Sequence, residues 1–155
     1  MVRWLFLSGL VLILDQLSKV GIANTMDLHE SIRLIPCFQL TYVRNPGAAF
    51  SFLSDAGGWQ RWFFISLAST VSVVLLVWLL RLPKYAFWQA VGLSLVLGGA
   101  LGNLIDRVVY GYVIDFLDVY YQNWHWPAFN IADSAITVGV AILLLDSFQK
   151  EQKTA

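Results

Sequence analysis

Two acids stand where acids are costly. Asp133 lies in the first turn of the apolar run FNIADSAITVGVAILLLDSF (129–148), and Asp115 lies in YGYVIDFLDV (110–119). Ionisable groups at the edge of hydrocarbon usually face a bundle interior and usually serve function. The two are 18 residues apart in the chain, so only folding can bring them together. If it does, two carboxylates a few ångströms apart in low dielectric cannot both ionise, and they share a proton. One is then a base and the other an acid near neutral pH. A water held between them can be deprotonated and aimed at an amide carbonyl while the protonated partner donates. This is the chemistry of an aspartic protease.

Each acid also has a plainer reading. An acid in a first helical turn favours the positive end of the helix dipole, worth about 0.3–1 kcal/mol. Asp115 reads equally as a loop acid, and Asp118, three residues on, has the same chemistry. Capping alone leaves unexplained the other polar residues at span ends: Asp15, Lys19, Asn103, Asp106, Arg107 and Asn130. They fall at one level, with Asp146 near the opposite end. Other hydrolytic schemes find no support. There is no HExxH, and His29 and His125 have no ligand-like spacing to each other or to Cys37. No Gly-x-Ser-x-Gly elbow occurs, and Ser134 has no evident His base. Neither a metal nor a cofactor is expected.

The elements that must position these residues are membrane helices. The 155 residues are 58% apolar and 13% charged, against about 25% charged in soluble domains. The net charge is zero, which offers nothing to a nucleic acid. Seven Trp, six Tyr and ten Phe are many for this length, and several lie near the ends of apolar runs, as in an interfacial belt. A span needs about 20 apolar residues, and four segments meet or approach this: 4–22, 59–80, 86–104 and 131–148. The first resembles a signal peptide in its Arg3 and apolar stretch, but it is longer than a usual h-region and is read as a retained helix. The single Cys37 excludes an intrachain disulfide framework and reads as an inert packing residue or a free thiol.

Four spans put both termini on one side. That side holds Arg3, Arg81, Lys84, Lys150 and Lys153 in about 15 residues, against Arg33, Arg44 and Arg107 in the two long loops. The termini are therefore expected in the cytoplasm and the loops outside. FQLTYVRN (38–45) alternates as a strand, and Asn45-Pro46-Gly47 is a turn signal. The aromatic spacing of FLDVYYQNWHW (116–126) predicts a short interfacial helix. The expected fold is an all-α integral membrane protein. Four transmembrane helices carry a small extracytoplasmic β-sheet, and residues 1–155 form one domain.

Gly98 and Gly102 have small-xxx-small spacing, which predicts close helix contact. Gly99, Asn103 and Arg107 fall on one helical face. Arg107 could serve a site, pair with Asp106 or bind a lipid phosphate. Asp15 and Lys19 are spaced i, i+4 and form either a structural ion pair or part of the site.

Taken together, DQLSK (15–19), RNPGAAFS (44–51), GGALGNLIDR (98–107), VIDF (113–116) and FNIADS (129–134) resemble the lipoprotein signal peptidase (signal peptidase II) family in order and topological position. The resemblance spans essentially the whole chain. It implies a bacterial inner-membrane aspartyl endopeptidase that cuts the signal peptide from diacylglyceryl-modified prolipoproteins just before the lipidated Cys. It implies Asp115 and Asp133 as the catalytic pair, with Asn45, Asn103, Arg107 and Asn130 lining the site and holding substrate or the pair. It implies inhibition by globomycin. Membrane lipid is the surrounding partner, and no obligate protein partner is evident. Two rivals differ in class. A proton-conducting transporter would place its polar cluster near the midplane, often between repeats, and a membrane scaffold would need neither acid.

Overall fold

The structure, a computed structural model, describes residues 2–47 and 58–154, with side chains described as far as Gln149. Positions 48–51 of the RNPGAAFS stretch lie outside the described residues. A single 3-10 turn, Val2–Trp4, leads into α1 (Leu5–Thr25). Then come β1 (Ser31–Ile35), β2 (Phe38–Asn45), α2 (Trp59–Arg81), α3 (Phe87–Val109), β3 (Val113–Tyr121), β4 (Trp124–His125) and α4 (Ile131–Thr154). All four helices are long and apolar enough to cross a membrane. The sheet is antiparallel in the order β1-β2-β3-β4. It caps one end of the bundle, where α1 and α3 finish and α2 and α4 begin.

Helix α3 is the central element. Some 56% of its most apolar window is buried, against 17% for α2 and for α4. Its sequence explains this. Ala90, Leu93 and Leu97 recur at helical spacing and pack with Leu75 and Leu79 of α2 and with Trp4 and Leu5. The GGALG stretch then removes side chains from the faces that meet α1 and α4. A Cβ on Gly98 would sit 2.6 Å from the Ser8 carbonyl oxygen of α1. A Cβ on Gly99 would collide with the Ala132 carbonyl oxygen of α4, and one on Gly102 would lie 2.5 Å from the Asp15 carboxylate. The small-residue spacing thus does what it predicts: backbones touch where the polar residues must meet. Lipid-facing positions such as Phe6, Leu10, Val73 and Leu145 stay exposed and apolar.

A second apolar cluster joins bundle to sheet: Ile22 of α1 and Met26, just past its end, pack with Tyr42, Ile114 and Phe116. The strand expected at 38–45 is β2 with those bounds. The short interfacial helix expected in 116–126 is not formed; these residues run through β3, a two-residue turn and β4. The aromatic spacing was a weaker signal than the density of β-branched and aromatic residues in VIDFLDVYY. Strand β2 also presents ladder groups that need partners, and β3 supplies them from Phe38↔Val119 to Asn45↔Val113. Cys37 is not a packing residue either. It is exposed in the two-residue turn between β1 and β2, in the left-handed region at φ 67°, where the preceding Pro36 suits a tight turn.

The glycine contacts make a contrast testable. Gly99→Ala forces backbone apart and is expected to destabilise the protein by about 1–3 kcal/mol. Gly9→Ala of α1 has nothing within 4 Å and is expected to change stability by less than about 1 kcal/mol. Equilibrium unfolding in mixed micelles measures both.

Candidate active site

The sheet and the bundle deliver one aspartate each. Asp115 sits in β3, paired with Val43 of β2, and is 3% exposed. Asp118, three residues on, points to the opposite face of the strand. There it accepts from Gln39 Nε2 (2.7 Å) and Thr41 Oγ1 (3.2 Å) and lies 2.9 Å from His125 Nδ1. The strand geometry separates the two acids that sequence chemistry alone leaves equivalent.

Asp133 arrives by a different route. Phe129 bridges to Leu117 of β3, with hydrogen bonds of 2.8 and 3.0 Å. That bridge lays Asn130 and the start of α4 beside Asp115. Asn130 then caps the helix. Its Oδ1 accepts from the Asp133 N–H at 2.9 Å, and Asp133 Oδ2 accepts from the Asn130 N–H at 3.3 Å. This is a reciprocal capping box. The capping reading of Asp133 is therefore correct for one oxygen. The other, Oδ1, accepts from Asn103 Nδ2 of α3 at 2.7 Å.

Two asparagines tie the acids into one network. Asn130, fully buried, donates through Nδ2 to Asp115 Oδ1 (2.7 Å) and to Asn103 Oδ1 (3.2 Å). Asn45, at the end of β2, donates to Asp115 Oδ2 at 3.1 Å, and its own Oδ1 accepts from the Gly47 N–H at 3.0 Å. The turn signal read from Asn45-Pro46-Gly47 thus aims the Asn45 amide at the acid.

A cavity of about 970 Å³ opens over these groups. Asp115, Asp133, Asn45, Asn103 and Arg107 all line it. Asn130 does not; it lies behind the acids and holds them. Arg107 does not pair with Asp106. It donates to the carbonyls of Gly47 (3.1 Å) and Asn103 (3.2 Å) and lies over the Phe64 ring. Asp106 instead pairs with Lys19, as does Asp15. The Ser134 hydroxyl is used in the helix start, donating to the Asn130 carbonyl oxygen at 2.9 Å. Sequence reasoning missed the wall formed by residues 126–129 and the presence of Arg44. The signals for them were the flanking motifs, since Arg44 opens RNPGAAFS and Phe129 opens FNIADS. Among the described residues no group of three His, Cys, Asp or Glu is placed to hold a metal ion.

Burial pushes the Asp115 carboxyl up to about 7, and the negative charge of Asp133 adds to the rise. The Asn45 donor, the Lys19 charge and the Asn130 donor pull it part of the way back. A carboxyl poised near neutrality, beside a second one in a water-accessible cavity, can hold and release a proton at working pH.

The family model described as Signal peptidase (SPase) II matches residues 7–149. The chain belongs to the signal peptidase II family. It is 56% identical to a lipoprotein signal peptidase of Alteromonas mediterranea over 97% of this chain and 83% of that one. It is 58% identical to one of Shewanella pealeana over 94% and 86%. Its fold is similar to two solved structures, each described as a bacterial membrane enzyme determined by the in meso method. One, at 2.3 Å resolution, has a TM-score of 0.90 at 33% identity, covering 100% of this chain and 93% of that one. The other, at 1.9 Å, has a TM-score of 0.82 at 35% identity, covering 94% and 92%. As a member of the signal peptidase II family the chain is a peptidase, and its four apolar helices are those of a membrane protein.

The raised Asp115 value has a consequence for stability. Its ordinary value is 3.8 and its folded value about 7, so between these the folded state binds the extra proton. The associated stability is fully present below about pH 4 and is lost as pH rises through about 7. The wild-type protein is expected to melt at a lower temperature at about pH 8 than at about pH 5, and Asp115→Asn to remove that part of the difference. Thermal melts of both proteins in one detergent measure it.

Proposed function

We propose that the chain is an aspartyl endopeptidase that removes the signal peptide from diacylglyceryl-modified prolipoproteins, cleaving just before the lipidated Cys. The observation that carries the chemistry is the Asn130 bridge. One buried amide holds Asp115 Oδ1 at 2.7 Å and the Asp133 N–H at 2.9 Å, at the floor of one cavity. The curated relatives supply the substrate class, since they are lipoprotein signal peptidases.

In this mechanism Asp115 carries the shared proton and Asp133 is the base. A water between them loses a proton to Asp133, and its oxygen bonds to the scissile carbonyl carbon. Asp115 gives its proton to the carbonyl oxygen. The gem-diol intermediate then collapses: the C–N bond breaks as the leaving nitrogen takes the proton held by Asp133, and one diol hydroxyl returns its proton to Asp115 as the new carbonyl forms. Asn103 and Asn130 keep donors on both carboxylates. Arg107 and Asn45 border the cavity where the substrate backbone lies. The diacylglyceryl group stays in the bilayer, and the site faces the periplasm with both termini in the cytoplasm. Globomycin competes for the cavity.

Purified protein is expected to cleave a diacylated prolipoprotein and to stop when globomycin is added. Asp115→Asn and Asp133→Asn are each expected to lower turnover by about 10³-fold or more, while Asp118→Asn stays within a few-fold. Near-normal turnover by folded Asp115→Asn would remove that residue from the mechanism. Orientation has its own test. Cys37, the one cysteine, is exposed at the sheet end. A membrane-impermeant maleimide is expected to label it in spheroplasts without lysis, and labelling only after lysis inverts the topology.

A further inference from the structure

Below the cavity floor lies a set of charges that the proposed chemistry leaves unused. Lys19 of α1 is 1% exposed, and Asp15 and Asp106 are fully buried. The Lys19 ammonium lies 2.8 Å from Asp15 Oδ2, 2.9 Å from Asp106 Oδ2 and 2.9 Å from Asn103 Oδ1. An ammonium has three donors and no acceptor, so these three contacts use it up. None of the three charged residues lines the cavity, so none touches substrate there.

We propose that Lys19, with Asp15 and Asp106, is the positioning device of the aspartate pair: the cation fixes the orientation of the two asparagine amides, and each acid pins the peptide beside one aspartate.

The first half follows from donor and acceptor types. Because Lys19 can only donate, the Asn103 side chain must turn its oxygen to Nζ. Its NH₂ then faces away, onto Asp133 Oδ1 at 2.7 Å. The same Asn103 oxygen accepts from Asn130 Nδ2 at 3.2 Å. Asn130 presents its NH₂ on this side, where it also reaches Asp115 Oδ1 at 2.7 Å and the Ile114 carbonyl oxygen at 3.2 Å. Its remaining oxygen is left for the Asp133 N–H. One cation thus sets which end of the Asn103 amide meets Asp133 and which end meets Asn130. With an acceptor in place of Lys19, or nothing there, the Asn103 amide is free to turn its oxygen toward Asp133.

The second half is positional. Asp15 Oδ1 accepts from the Ala132 N–H at 2.9 Å, one residue before Asp133. Asp106 Oδ2 accepts from the Ile114 N–H at 3.2 Å, one residue before Asp115. Helix α1 so grips the start of α4, and the end of α3 grips β3. Lys19 lies between the two acids and holds both. Gln16 closes the set, donating to Asp106 Oδ1 at 2.8 Å and to the Gly102 carbonyl oxygen at 3.1 Å.

The kinetic arm rests on the proteolytic reading above; the spectroscopic arm does not. Lys19→Met alone strands two buried acids, so the deciding variant is Lys19→Met/Asp15→Asn. It keeps the cluster's net charge of −1, one acid instead of a cation with two, and leaves an oxygen at position 15 for the Ala132 N–H. With the protein labelled with ¹⁵N-asparagine, the Asn103 and Asn130 side-chain amide protons of the parent are expected to exchange slowly. Exposed Asn24 and Asn123 serve as fast-exchanging references. In the variant the Asn103 protons are expected to exchange freely. Turnover is expected to fall by about 100-fold with KM within about two-fold, as for misplaced rather than lost groups. A folded variant with kcat within about three-fold of the parent, or with unchanged Asn103 exchange, overturns the proposal. So does a parent whose Asn103 amide exchanges as fast as Asn24, whether or not the variant folds. The amide measurement uses no substrate, so a failure of the proteolytic reading stays distinct from a failure of this one.

Discussion

A carboxylate near hydrocarbon persists only if donors surround it. That constraint organises the sheet end of this molecule. The donors come from every direction available. Asn45 reaches Asp115 from β2, Asn130 from the approach to α4, and Asn103 reaches Asp133 from α3. No single element could supply them, because a helix face or a strand face offers too few side chains at one depth. The antiparallel sheet, the close α3–α4 contact and the capped start of α4 are three solutions to the same demand.

The architecture also explains why two kinds of backbone meet here. A strand holds Asp115 with its neighbours in register, so its direction is set by β2. A helix start holds Asp133 with free N–H groups already present, and Asn130 completes that end. The acids therefore sit in different local environments although their chemistry is shared. For Asp115, desolvation outweighs its amide donors and leaves it near neutrality.

Much of this was legible in the sequence, for identifiable reasons. The four spans were plain because an apolar run of membrane length is seldom anything but a span, and the strand at 38–45 was plain from its alternation. The glycine spacing foretold where helices touch. The two acids emerged because carboxylates are rare at that depth, and the family resemblance selected the same pair. What stayed hidden depended on direction. Nothing in VIDFLDVYY says which side of a strand Asp118 takes until its partner strand is known. The reading of 116–126 as a helix failed for the same reason, since the edge it completes belongs to a segment some 80 residues earlier. Arg107 was ambiguous because its rival partner, Asp106, is claimed by a lysine nearly 90 residues away.

The crossing of α3 and α4 leaves no room for a methyl group at Gly99. The Gly99 peptide rests there on the Ala132 carbonyl and against the Ile136 side chain. The gap spanned by Asn103 and Asp133 is thereby a property of main-chain geometry, indifferent to the identity of the outward residues. Those outward residues can then drift to suit bilayers of different thickness or fluidity, generation after generation, while the reactive groups keep their spacing.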